Sequence, residues 1–72
     1  MDNIELKNVL ITKQHVILND QNLGKIKLSK VTAIIYRSDE KGKIKISAEC
    51  LDYSGKSCMI VNPKYLEIDD GK

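Results

Sequence analysis

The sequence predicts an all-β protein, built as a strongly bent antiparallel sheet or small barrel of five to seven short strands with one C-terminal 3₁₀ turn. Three observations lead there. A five-residue punctuation occurs twice, as Asp39-Glu40-Lys41-Gly42-Lys43 and Asp52-Tyr53-Ser54-Gly55-Lys56. Asp suits the first position of a type I turn, where its carboxylate accepts backbone N–H groups two residues on, and Gly suits the fourth, where φ is positive. Several short runs alternate apolar and polar residues, the mark of half-buried strands. Nowhere do apolar residues recur at i, i+3, i+4 and i+7 over three turns, so no long helix is expected.

A three-residue loop ending in Gly closes a hairpin with a bulge. Used twice, it predicts consecutive strands over residues 31–38, 43–52 and 56–62. The first loop pairs Asp39 with Lys43, Ser38 with Ile44, Tyr36 with Ile46 and Ile34 with Ala48. The second pairs Asp52 with Lys56, Cys50 with Cys58 and Ala48 with Ile60. One face then carries Ile34, Tyr36, Ile44, Ile46, Ala48, Cys50, Cys58 and Ile60 and is almost wholly apolar. The other carries Arg37, Lys45, Ser47 and Glu49 together with Val31, Ala33, Ile35, Leu51, Met59 and Val61.

The remaining elements follow in order. Ile4 and Leu6 alternate with Glu5 and Lys7, which predicts a first strand. Val9-Leu10-Ile11 and Val16-Ile17-Leu18 are two apolar runs spaced for a hairpin across Thr12-Lys13-Gln14-His15. Asn19-Asp20-Gln21-Asn22-Leu23-Gly24 reads as a loop. Lys25-Ile26-Lys27-Leu28 alternates again, with Ser29 and Lys30 as a brief break before Val31. Asn62-Pro63 must stop the preceding strand, because Pro lacks the N–H a ladder needs. Asn at a cap with Pro behind it favours a single helical or 3₁₀ turn over Lys64-Tyr65-Leu66. Leu66 and Ile68 then form a short last strand.

The 72 residues imply one small β domain, 1–72, with 69–72 as a frayed tail. A chain this short builds a small core, so self-association is expected alongside other protein partners. A hydrophobic share of 42% and a charged share of 31% exclude intrinsic disorder. The aromatic share of 4% is all Tyr, which leaves packing to Ile, Leu and Val. Net charge is +2, but residues 25–56 hold eight basic against four acidic side chains. Eleven Lys to one Arg, with many Ile and Asn, points to an AT-rich genome and hence a bacterium, phage or mobile element. No apolar stretch approaches the ~20 residues that cross a bilayer, so a cytoplasmic protein without membrane contact is expected.

Two stretches resemble known families. Val61-Asn62-Pro63-Lys64-Tyr65-Leu66-Glu67-Ile68 is similar to the end of an SH3 domain, where a strand runs into a 3₁₀ turn carrying Pro and Tyr and an aliphatic residue opens the last strand. The resemblance implies an SH3-like small β-barrel in which Pro63 and Tyr65 help form a groove for proline-rich ligands. The tryptophan and the aromatic-acidic opening motif of that groove are missing from this chain. Ile-Thr-Lys-Gln-His-Val-Ile-Leu followed by Gly-Lys-Ile-Lys-Leu-Ser-Lys-Val, within residues 11–35, looks like the opening strands of small bacterial pleckstrin-homology-like domains. Those end in a long C-terminal helix, for which this chain has no room.

Chemistry-bearing residues are few. Cys50 and Cys58 face each other in the expected register and read as reduced, buried apolar residues, with a cross-strand disulfide or a metal pair as alternatives. His15 falls at a turn, with no nucleophile or orienting group placed near it. No phosphate-loop, dinucleotide, C-x-x-C or H-E-x-x-H motif occurs. The expectation is a protein that is not an enzyme and needs no cofactor or metal. The second sheet face, with Val31, Ile35, Leu51, Met59 and Val61, is the expected protein interface, making the chain a small binding module or inhibitor. The alternative is a small-barrel protein binding single-stranded nucleic acid through Lys25, Lys27, Lys43, Lys45, Tyr53 and Tyr65.

Overall fold

The computed structural model describes residues 1–70 and holds one helix, five antiparallel strands and a 3₁₀ turn. The elements run α1 (Asn3–Thr12), β1 (Val16–Asp20), β2 (Gly24–Ser38), β3 (Ile44–Asp52), β4 (Cys58–Val61), the 3₁₀ turn η1 (Pro63–Tyr65) and β5 (Leu66–Ile68). They form a single sheet in the order β4-β3-β2-β1-β5, which is not closed into a barrel. The last element among the described residues is the short strand β5. No helix among the described residues is long and apolar enough to cross a membrane.

The N-terminal segment is helical where a strand over Ile4 and Leu6 and a hairpin through Val9-Leu10-Ile11 were expected. Asp2 caps it, its carboxylate accepting the Glu5 N–H at 2.8 Å. Lys13 closes it in the left-handed region, φ 61°, donating its N–H to the Val9 carbonyl at 2.9 Å. Leu6 and Val9, one turn apart, are both fully buried, and the helix packs on β2.

Asp20 folds the β1–β2 turn by accepting the N–H groups of Asn22 and Leu23 at 2.8 and 3.0 Å. β2 then runs unbroken for 15 residues, through the break expected at Ser29 and Lys30. The sequence signal marks a bulge instead: the pairing with β3 shifts between Leu28 and Lys30, and again between Val31 and Ala33. Extra residues in one strand bend it and increase its twist. After the second shift the first hairpin has the expected register, with Ile34 opposite Ala48, Tyr36 opposite Ile46 and Ser38 opposite Ile44.

The second hairpin differs by one residue. The Asp52 N–H donates to the Ser57 carbonyl at 2.8 Å, so Ser57 and not Lys56 stands opposite Asp52. The cause is the Asp52 carboxylate, which accepts the hydroxyls of Ser54 and Ser57 at 2.6 and 2.7 Å and the Gly55 N–H at 2.9 Å. A four-residue loop results. Because side chains alternate, the shift exchanges the faces of β4. Ala48 now pairs with Val61 and Cys50 with Met59, so Met59 and Val61 pack on the core while Cys58 and Ile60 point away.

The core consists of Leu6, Val9, Val16, Leu28, Val31, Ala48, Cys50 and Leu66, and no polar side chain is buried among the described residues. At the C-terminal end Asn62 caps η1 through the Lys64 N–H at 2.9 Å. Asp69, expected in a frayed tail, donates its N–H to the His15 carbonyl at 2.9 Å. Gly71 and Lys72, the rest of that expected tail, lie outside the described residues.

Candidate strand-pairing edge

β3 has nine residues, yet the four-residue β4 covers only residues 48–51 of it. The chain leaves the ladder at Asn62-Pro63, because Pro cannot continue it. Among the described residues, 44–47 of β3 therefore pair with β2 on one side and with no strand on the other. Backbone groups point alternately to the two neighbours of a strand. The Asp52 N–H faces β4, and counting back in twos places the N–H and C=O groups of Ile46 and Ile44 on the open side. The Lys43 carbonyl accepts the Asp39 N–H at 2.9 Å, which assigns the odd positions to β2 by the same count.

The side chains around this open ladder are apolar on one face and basic on the other. Ile44, 67% exposed, and Tyr36, 54% exposed, continue the core face beyond the point where anything covers it, with the partly buried Ile46 between them and the core. Ile60, 56% exposed, stands on the opposite face of β4. A cleft of about 490 Å³ lies where β4 leaves β3, lined by Lys45, Ile46, Ser47, Ile60, Val61 and Asn62. An adjoining cleft of about 380 Å³ shares Ile46 and Asn62 and reaches Pro63 and the helix start at Asp2 and Asn3. On the outer face Arg37 stands directly opposite Lys45. The salt bridge seen among the described residues is Lys25 with Glu67, at 3.3 Å, on the far side of the sheet.

The five residues expected to form an interface do not share a face. Val31 is core, Met59 and Val61 pack against the core, and Ile35 and Leu51 lie half-buried on the other side. The six residues of the nucleic-acid alternative are also dispersed. Lys25 is paired with Glu67, Lys27 faces outward on β2, Lys43 lies at the first hairpin turn, and Lys45 is on the open edge. Tyr53 sits on the second hairpin turn, its ring 5.8 Å from that of His15. Tyr65 lines a separate cleft of about 230 Å³ beside the β1–β2 turn. Pro63 lines a different cleft from Tyr65, so the two do not build one groove.

Cys50 and Cys58 are free thiols on opposite faces, which corrects the facing pair expected from a three-residue loop. Burial pushes the Cys50 thiol up to about 11, helped by the charges of Glu49 and Cys58. Partial loss of solvation, then the Glu49 carboxylate, holds Cys58 above its usual range as well. His15 binds the Ser29 carbonyl through Nδ1 at 2.7 Å, which fastens the start of β1 to the bulge of β2. Ile44 keeps its expected face but is exposed, whereas Ile60, expected on that same face, points to the other. A signal for their exposure was present: Pro63 limits β4 to a few residues while β3 runs on to the Asp39 turn.

Compared with known proteins, the chain matches no family model, no curated protein and no solved structure.

Proposed function

We propose that this protein is a non-enzymatic binding module or inhibitor that captures a partner protein by strand addition along the β3–β4 edge. The observation that carries this reading is the half-paired stretch of β3, residues 44–47, bordered by exposed Ile44, Tyr36 and Ile60. An uncovered edge with apolar neighbours can template pairing with another chain. In strand addition, main-chain hydrogen bonds supply affinity and alternate side chains supply selectivity. The setting we infer is the cytoplasm of a bacterium, with a phage or mobile element as the source, on the Lys- and Ile-rich composition. We read the open sheet as SH3-like, on the strand that runs into the Pro63–Tyr65 3₁₀ turn and on Leu66 opening β5.

Affinity capture from host lysate with the wild type, Ile44→Pro and an Asn22→Ala control tests this. The Pro ring occupies a backbone position whose N–H points to open solvent, so the fold survives while the edge is blocked. A protein retained by the wild type and the control, and lost from Ile44→Pro, is the expected result. A partner held equally by all three contradicts strand addition.

A further inference from the structure

We propose that the segment this edge accepts is extended and acidic, with aliphatic side chains alternating with Asp or Glu. The inference rests on the strand-addition reading and adds the chemistry of the occupant. A strand laid against residues 44–47 sends alternate side chains to the two sheet faces. On the core side they meet Ile44 and Ile46; on the outer side they meet Lys45, with Arg37 directly across the ladder. Like charges directly opposite each other on a sheet are destabilising. An incoming carboxylate beside Lys45 converts that repulsion into attraction.

Asp39, at the start of the first turn, and Glu49, in β3, are placed for other roles. The Asp39 carboxylate accepts the Lys41 and Lys43 N–H groups at 2.8 and 2.9 Å within the turn. Glu49 lies farther along β3, where β4 already covers the edge, opposite Ile60. A second copy is a poor occupant by the same logic. Pairing two of these edges across a two-fold axis sets the Arg37 and Lys45 rows near each other, and Glu67 of the other free edge is engaged by Lys25.

Fluorescence anisotropy with two labelled peptides, acetyl-Ser-Val-Glu-Val-Glu-Val-Ser-amide and its Lys-for-Glu counterpart, tests the proposal. The acidic peptide binds the wild type about tenfold more tightly than the basic one at low salt, and the preference shrinks at high salt. The double variant Arg37→Glu/Lys45→Glu reverses the preference, and Ile44→Pro, which leaves charge unchanged, abolishes binding. Equal binding of both peptides, lost in Ile44→Pro, overturns the acidic partner while strand addition stands. Binding that survives Ile44→Pro is mere charge attraction and overturns the proposal. So does binding of neither peptide, in which case lysate capture still judges the edge itself. A dimer in sedimentation that Ile44→Pro dissociates also overturns it, in favour of a second copy. Binding of a single-stranded oligonucleotide, in place of the acidic peptide, overturns it in favour of nucleic acid.

Discussion

Asp52 organises its turn with one carboxylate, and that concentration of hydrogen bonds has a pH signature. The hydroxyls of Ser54 and Ser57, with backbone N–H groups after them, pull its pKa down to about 2. An unfolded Asp titrates near 3.9, so the unfolded chain takes up the proton first as pH falls. The stabilisation is full above about pH 4 and is lost as pH drops toward about 2. Asp52→Asn is expected to lower stability at pH 7 and to flatten the acid limb between these values, read from urea unfolding at pH 7, 4 and 2.5. Asp20, held low by the Leu23 and Asn22 N–H groups, keeps part of that limb in the variant. An unchanged acid limb contradicts the role of Asp52. The thiols give a second residue-level prediction: iodoacetamide at pH 8 labels exposed Cys58 slowly and spares buried Cys50 until the chain is unfolded. Equal labelling rates in the folded protein contradict the register of β4. Both turns were legible from their Asp and Gly, and so was the three-residue length of the first. The length of the second was not, because Ser57 competes with Lys56 for the position opposite Asp52 through a side-chain hydroxyl that no turn pattern counts.

At the scale of the element, α1 shows how a short segment can satisfy two periodicities. Ile4 and Leu6 alternate as in a strand, while Leu6, Val9 and Leu10 occupy one side of a helix. The cap decides: Asp2 meets the Glu5 N–H, Lys13 takes up the left-handed conformation, and Leu6 and Val9 cover the core that β2 and β3 leave open. Leu6→Ala is expected to cost about 2–5 kcal/mol in denaturant unfolding, as for buried Leu elsewhere. Ile4→Ala, at a position 74% exposed, should fall within about 0.5 kcal/mol of wild type. Similar losses for the two would mean that the segment is a strand with both residues on one face. β2 was read as two strands for a related reason. Ser29 and Lys30 do interrupt the alternation, but as a bulge that bends a continuous strand.

On the scale of the molecule, five strands of unequal length leave an open sheet whose outer strands do not match their neighbours. The mismatch between β3 and β4 is the feature from which the functional reading grows. It was half legible: Pro63 announces where β4 stops and the first hairpin fixes the face of Ile44, but the face of Ile60 depends on the Ser57 register. Native-state amide hydrogen exchange, followed residue by residue in the dilute protein, tests this feature most directly. Along β3 the amides of Ala48 and Cys50 should be protected by β4, and those of Lys45 and Ser47 by β2, while Ile44 and Ile46 exchange rapidly. Protection of Ile44 and Ile46 equal to that of Ala48 would mean that the edge is already covered, and would contradict the account.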